Sequence, residues 1–503
     1  MSGGAEYPTV FENGHPALNS PAKKLDRIAW LLLPFAAIGV AVAAWSAFRS
    51  LPHWSWSANR LAASVRLAYG FPLYTGPGGV AMSDWFYGPV AAIAYLPAAL
   101  ASDPLGALRI AAALNGLYFL LPLGVVFGGA QRGASPAWTR WAGLIFVTGA
   151  FLLPFGLWYG AASLHVDTVT IALGIISCAA LVRFDRLPLA AALCVLAAWT
   201  KQTDFPLAFA QLIFLARVRG GRAAKVYFGW LAGWAALATA VFCAWFGAGT
   251  LWHDLIVLPM RFPIETERIG IEFAAVARNT WWIPPVVFAA WKWPCPPSDE
   301  RAARDLQLGW LLCLASVMLL PLGFLAAVKY GGAQNSVHSL AYGILGATTL
   351  GLLSLGADRR RWGWVGPGLL LAGALAVAGL NAKRVLATGS LDRKWIGEQH
   401  REAFEFAKAH PHQAYFPWDP LVTLMAERRV YPFECGYHDY LIAREAPPPA
   451  VVRRAFPETL AYLAYFRADQ PPMEIPGLFP EFSHRRVIGN WTIYSRPADN
   501  ATP

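Results

Sequence analysis

Charged side chains at the ends of apolar runs are where this sequence could do chemistry. Asp167 follows His165 in Leu164-His165-Val166-Asp167-Thr168, and Lys201 opens the polar turn Lys201-Gln202-Thr203-Asp204. Arg109 stands at the head of another apolar run, and Lys329 and His338 bracket a glycine-containing stretch that also holds Asn335. A carboxylate so placed can take a proton from a hydroxyl group, and the cations can stabilise an anionic leaving group such as phosphate. Each residue also has a structural reading. Asp167 fits a helix N-terminal cap, Lys201 and Arg109 can snorkel to lipid headgroups, and His165 reads more readily as a satisfied polar contact than as a metal ligand. Their gathering on one side of the chain's apolar spans favours function, because ionisable groups in a bilayer are costly and seldom present without a use.

The elements that must position them follow from composition. The chain has 503 residues, of which 56% are hydrophobic and only 14% charged, with a mean hydropathy of +0.40. That excludes an ordinary cytosolic enzyme, which would carry about a quarter charged residues. The 23 tryptophans suit many segments that end at headgroup level. The net charge of +11 is scattered between apolar runs, whereas a nucleic-acid binder would gather it on one face. The six cysteines (Cys178, Cys194, Cys243, Cys295, Cys313 and Cys435) form no CxxC pair, and only Cys435 falls in a long polar region, so neither a disulfide within that region nor a structural zinc site is expected.

A helix needs about 20 apolar residues to cross a bilayer core. Eleven spans are expected: 28 to 48, 106 to 128, 139 to 160, 166 to 183, 187 to 201, 203 to 217, 224 to 248, 279 to 293, 306 to 328, 339 to 357 and 364 to 382. The pair at 187 to 201 and 203 to 217 is short and reads as a hairpin that does not fully cross. Pro89 to Ala101 is shorter still and is placed as a helix along the outer surface. With the N-terminus inside, every inside loop is basic, as in Arg217, Arg219, Arg222 and Lys225, or Arg359, Arg360 and Arg361. The resulting division is a cytoplasmic tail over 1–27, a membrane module over 28–382 and an extracytoplasmic α/β domain over 383–503. The first outer loop, Arg49 to about Leu105, holds two helix-like pieces, Ala58 to Tyr69 and Pro89 to Ala101. The second, Ala248 to Arg278, holds an amphipathic piece from Leu251 to Met260 and a charged loop from Arg261 to Arg268. In the C-terminal region, helices are expected over Trp395 to Ala409 and Pro420 to Arg428, and strand over Arg486 to Ser495 with a turn at Gly489-Asn490.

Several short motifs carry a resemblance. Asn59-Arg60-Leu61-Ala62 precedes Tyr69-Gly70-Phe71-Pro72-Leu73-Tyr74, and Phe86-Tyr87-Gly88-Pro89-Val90 opens the second juxtamembrane piece. His165-Val166-Asp167 and Trp199-Thr200-Lys201-Gln202-Thr203 follow in order. This order resembles the GT-C superfamily of membrane glycosyltransferases, which includes protein O-mannosyltransferases and lipid A aminoarabinose transferases, over about the first 350 residues. The resemblance implies an α-helical polytopic membrane protein of about eleven spans, two juxtamembrane helices in the first outer loop, and a small C-terminal α/β extracytoplasmic domain. It further implies a bacterial inner-membrane enzyme that moves a sugar from a polyprenyl-phosphate donor to a hydroxyl of a lipid, glycan or protein acceptor, with inversion and without nucleic acid.

In that reading Asp84 or Asp167 is the proton acceptor. Arg109 and Lys201 meet the donor phosphate, and His165, Asn59, Arg60, Tyr87, Lys329 and His338 line the substrate site. No cofactor is assigned, and a divalent metal could be held by Asp84, His165 and Asp167, although their spacing is not diagnostic. One departure stands out: the family's carboxylate early in the first loop is missing, for His53-Trp54-Ser55-Trp56-Ser57-Ala58-Asn59-Arg60 has no Asp or Glu. Either Asp84 has taken that role, or the chain keeps the architecture and has changed or lost the reaction. A transporter or lipid flippase, and a noncatalytic GT-C-like scaffold, are the alternatives.

Overall fold

In a bilayer each backbone N–H and C=O must find its partner within the spanning segment, so apolar runs of this length fold as helices. The computed structural model describes residues 21–50, 55–76, 78–80, 82, 85–128, 137–152, 164–280, 300–355, 364–388, 398–466, 477–489 and 491–496. Its helices are α1 (Pro21–Ser50), α2 (Ser55–Ala68), α3 (Pro89–Ala94), α4 (Pro104–Gly128), α5 (Ala137–Leu152), α6 (Val166–Val182), α7 (Leu187–Ala198), α8 (Pro206–Val218) and α9 (Gly221–Phe246). They continue with α10 (Thr266–Thr280), α11 (Glu300–Val328), α12 (His338–Leu355) and α13 (Val365–Thr388). Among the described residues, six segments, within α1, α4, α9, α11, α13 and at Asn335–Leu353, are long and apolar enough to cross a membrane. Helix α9 turns Phe228, Trp230, Leu237 and Trp245 outward, the surface expected of a lipid-facing span.

Over their described residues ten of the eleven expected spans coincide with helices; of the remaining one, 279 to 293, the first two residues end α10 and the rest lies outside the described residues, as does 153–160 of the third. The short pair is α7, of 12 residues, and α8, of 13. At about 1.5 Å per residue each reaches only some 20 Å, against a hydrocarbon core of about 30 Å. The turn between them, with Lys201, therefore lies below the level that full spans would reach.

The first outer loop contains the two expected pieces. The first is α2, and the second is α3 followed by a 3-10 turn over Leu96–Leu100. In the second loop residues 248–261 are helical, with π winding over His253–Val257. The charged loop expected as far as Arg268 ends sooner, because Arg268 pairs with Glu265 and Glu272 at helical spacing and α10 starts at Thr266.

The polar C-terminal region contains α14 (Glu398–Ala409), α15 (Pro420–Glu427), α16 (Glu434–Ile442) and a four-stranded sheet. Its strands are β1 (Ala414–Tyr415), β2 (Tyr462–Phe466), β3 (His484–Ile488) and β4 (Trp491–Ser495), in spatial order β1-β2-β4-β3. β1 runs parallel to β2, while β4 is antiparallel to both β2 and β3. Between β3 and β4, where the turn is expected, Gly489 has φ +55°, and residue 490 lies outside the described residues. An apolar cluster joins this unit to the first outer loop: Leu61 and Val65 of α2 share it with Trp418, Leu421, Tyr431 and Phe433. That shared core fixes the C-terminal unit over the membrane module on the face that carries α2 and α3.

Candidate functional site

Asp167 occupies the first turn of α6 and is 1% exposed, so its charge must be met by the protein. Three side chains meet it. Lys201 Nζ donates to Oδ1, Asn335 Nδ2 donates to Oδ2 at 2.9 Å, and His165 Nδ1 lies 3.3 Å from Oδ2. On the other edge of the imidazole, Arg60 donates to His165 Nε2 at 2.9 Å and to the Leu164 carbonyl at 2.9 Å. A guanidinium can only donate, so Nε2 is the acceptor, and the ring proton sits on Nδ1, facing Asp167. His165 is therefore neutral and oriented between a cation and a carboxylate.

Lys201 stands at the break between α7 and α8 and is 5% exposed. Besides Asp167 it feels the charge of Asp204, and Tyr87 lies near it. Asp204 is itself buried, and it accepts a 2.7 Å hydrogen bond from Ser339 Oγ. This break is pinned from both outer loops: in the first, Gly88 N–H donates to the Thr200 carbonyl at 3.1 Å and the Phe86 carbonyl accepts from Gln202 Nε2 at 2.9 Å, and in the second the Leu255 carbonyl accepts from the same Nε2 at 3.0 Å. The result is a buried polar cluster assembled from α2, α6, the α7–α8 turn and the start of α12.

The structure thus brings together Arg60, His165, Asp167 and Lys201, with Tyr87 beside Lys201 and His338, 1% exposed, with its ring centroid 6.4 Å from that of His165. Asn59 lies next to Arg60 on α2 and donates to the Trp418 carbonyl at 3.3 Å, facing the C-terminal unit. Lys329 donates to the Pro259 carbonyl at 3.0 Å and tethers the second outer loop, and burial lowers its pKa. Arg109 is exposed on α4 and stands outside the buried cluster. Asp84 lies outside the described residues. Among the described residues no group of three or more His, Cys, Asp or Glu side chains is placed to hold a metal ion.

In the sequence Asn335 counts among the polar groups converging on one side but without a role, Asp204 stands there only as the end of the Lys201 turn, and Ser339 carries no signal. Gln202 carries a signal in hindsight: an amide following the lysine in a turn between short apolar helices can satisfy carbonyls from two other loops.

No protein-family model matches the sequence, and no curated protein matches it either. Solved structures do. ArnT from Cupriavidus metallidurans bound to undecaprenyl phosphate superposes with a TM-score of 0.52 over 94% of this chain and 99% of that one, at 15% identity. The fold is that of ArnT. The apo state of the same ArnT gives a TM-score of 0.51 over 95% and 99% of the two chains, again at 15% identity. The ArnT match extends beyond the first 350 residues and takes in the C-terminal unit. The chain is accordingly a polytopic helical membrane protein with an ArnT-like fold.

Proposed function

We propose that this protein is an inverting glycosyltransferase that takes a sugar from a polyprenyl-phosphate donor and places it on a hydroxyl acceptor at the outer face of the membrane. The observation that carries the reading is the buried Lys201–Asp167 pair, set below the outer end of the bundle in a fold whose solved relative is bound to undecaprenyl phosphate. In this reading Lys201 faces the donor phosphate as it leaves, and Arg109 meets it from the exposed rim. Cations act most strongly on such charge where water is excluded. Asp167 already accepts from Lys201 and Asn335 and faces His165, so it must give up a partner before it can take a proton. We therefore assign Asp167 to orient Lys201 and Asp84 to receive the acceptor's proton. Arg60, His165 and His338 complete the polar wall, while Asn59, Tyr87 and Lys329 hold the loops around it. The acceptor class, whether lipid, glycan or protein, is left open by these roles.

A titration of undecaprenyl phosphate by a direct binding measurement tests the phosphate assignment. Lys201→Gln should weaken binding by tenfold or more and Arg109→Gln by a smaller factor, whereas Lys225→Gln should bind as the wild type does. Equal affinities for all three variants would remove Lys201 and Arg109 from the phosphate site.

One observation supports the noncatalytic scaffold as a second reading. In the carboxylate-free stretch, Ser57 Oγ accepts from the Leu164 N–H at 3.3 Å and the Asn59 amide reaches Trp418, so both side chains serve packing. A scaffold would bind the lipid normally and show no transfer with any donor sugar.

The orientation belongs to the same proposal: a plasma-membrane protein, inner membrane in a bacterium, with the tail 1–27 inside and the domain 383–503 outside. Reporter fusions after Arg361 and after Lys394 should read inside and outside respectively. The same side for both, or the reverse order, would sink the topology and with it an outward-facing site.

A further inference from the structure

His253, in the π-wound stretch of the second outer loop, is met by carboxylates from two parts of the chain. Its Nδ1 lies 2.5 Å from Asp254 Oδ1, and its Nε2 lies 2.6 Å from Glu445 Oε2, just past α16 in the C-terminal unit. A neutral imidazole has one N–H and would point a lone pair at one of these oxygens. Both contacts are hydrogen bonds only when the ring carries two protons.

Each carboxylate is committed on its other side. Asp254 Oδ2 accepts the N–H groups of Thr75 at 2.9 Å and Gly76 at 3.2 Å, in the glycine-rich turn of the first outer loop. Gly76 sits at φ +68°, which glycine adopts without strain, and this lets two successive N–H groups face one carboxylate oxygen. Glu445 Oε1 pairs with Arg261 at 2.5 Å. The other groups facing the cluster are Tyr440, whose ring centroid is 6.4 Å from that of His253, and Tyr74; both lie within reach of the Asp254 charge. Tyr74 also donates to the Tyr87 carbonyl at 2.7 Å, and Tyr87 neighbours Lys201. A continuous polar path therefore runs from the C-terminal unit to the segment beside the buried cluster.

We propose that His253, as an imidazolium, is a positioning residue that clamps the C-terminal unit to the glycine-rich outer turn, and that loss of its second proton releases the turn. Burial alone would lower the imidazole's pKa, but the hydrogen bonds and charges of Asp254 and Glu445 outweigh burial and raise it. A raised folded-state pKa means that the stabilisation is fully present below about 6.5, the ordinary histidine value. It is lost as pH rises through the raised value. The clamp depends on the fold and not on what the site transfers, so its failure would leave the glycosyltransferase reading intact.

Hydrogen exchange on the full-length protein in lipid nanodiscs, corrected for the intrinsic pH dependence of exchange, reads the clamp at the Thr75 and Gly76 amides. From pH 6 to pH 9 the wild-type protection factor of the peptide that contains them should fall at least threefold. His253→Gln should sit at the low level throughout, and His253→Lys, which stays charged, should hold the high level at pH 9. His400→Gln, which breaks the separate 2.5 Å contact with Asp419 inside the C-terminal unit, should keep the wild-type pH response. Protection that is flat with pH in the wild type, a His253→Gln profile like the wild type, or a pH response abolished by His400→Gln would each overturn the proposal. Should His253→Gln fail to fold, the wild-type and His400→Gln series still decide it.

Discussion

Asp167→Asn is expected to lower transfer by about a hundredfold or more, the usual scale for disturbing a positioned proton-transfer or charge-holding group. Two causes would contribute, and they can be separated. The substitution leaves the Lys201 ammonium buried without its carboxylate, and breaking one side of a buried pair costs about 3–5 kcal/mol. A drop in activity could then be no more than a drop in folded protein. Replacing both partners at once, as Asp167→Leu with Lys201→Met, removes the unpaired charge, and such exchanges are often neutral or stabilising. If the unpaired ammonium dominates, the double variant should therefore unfold at a higher temperature than Asp167→Asn does, although Asn335 and His165 lose an acceptor, while remaining inactive. If it recovers transfer, the pair is a packing device and the phosphate must be met elsewhere. If Asp167→Asn alone is fully active, the pair has no part in the reaction.

The same pair shows how far the sequence could be read. Asp167 and Lys201 were visible because each interrupts an apolar run, and burying charge there demands a reason. Their mutual contact was less legible, since 34 residues separate them and no periodicity connects the head of α6 with the α7–α8 turn. The helices themselves were read in place, because hydropathy and the basic loops act on whole segments, but α1 and α11 begin seven and six residues before their expected spans and α13 runs six beyond its own, where polar residues extend a helix that hydropathy does not follow. The C-terminal unit was read in part. The β3–β4 hairpin was marked by Gly489, whereas β1 is two residues long and pairs with a strand 48 positions away, which no local pattern reveals. The bridge from His253 to Glu445 spans 192 residues, and each partner taken alone reads as an ordinary solvated side chain. Contacts of this kind come from the docking of separate units and leave no trace in composition or spacing.

Gly88→Ala is the substitution expected to damage the site most from outside it. Gly88 has φ −62° and ψ 159°, an extended conformation open to any residue, so its lack of a side chain serves close approach and not backbone freedom. A Cβ at this position would stand 1.6 Å from the Trp199 carbonyl oxygen and 2.3 Å from its carbon. Those atoms belong to backbone that also carries Thr200, whose carbonyl accepts the Gly88 N–H, and they cannot swing aside as a side chain could. The start of α3 and the α7–α8 turn must separate, and overpacking of this kind costs about 1–3 kcal/mol or more. Lys201 is two residues from the point of collision, so the strain would be felt as a displaced ammonium. Gly70→Ala provides the comparison: Gly70 has φ +78° but nothing within 4 Å of its would-be Cβ, so that variant carries backbone strain without moving Lys201. Both variants should unfold at lower temperature than the wild type. Only Gly88→Ala should also weaken undecaprenyl-phosphate binding, by tenfold or more, in the fraction that remains folded. Wild-type affinity in folded Gly88→Ala would show that the first outer loop does not set the position of Lys201, or that Lys201 does not meet the donor phosphate.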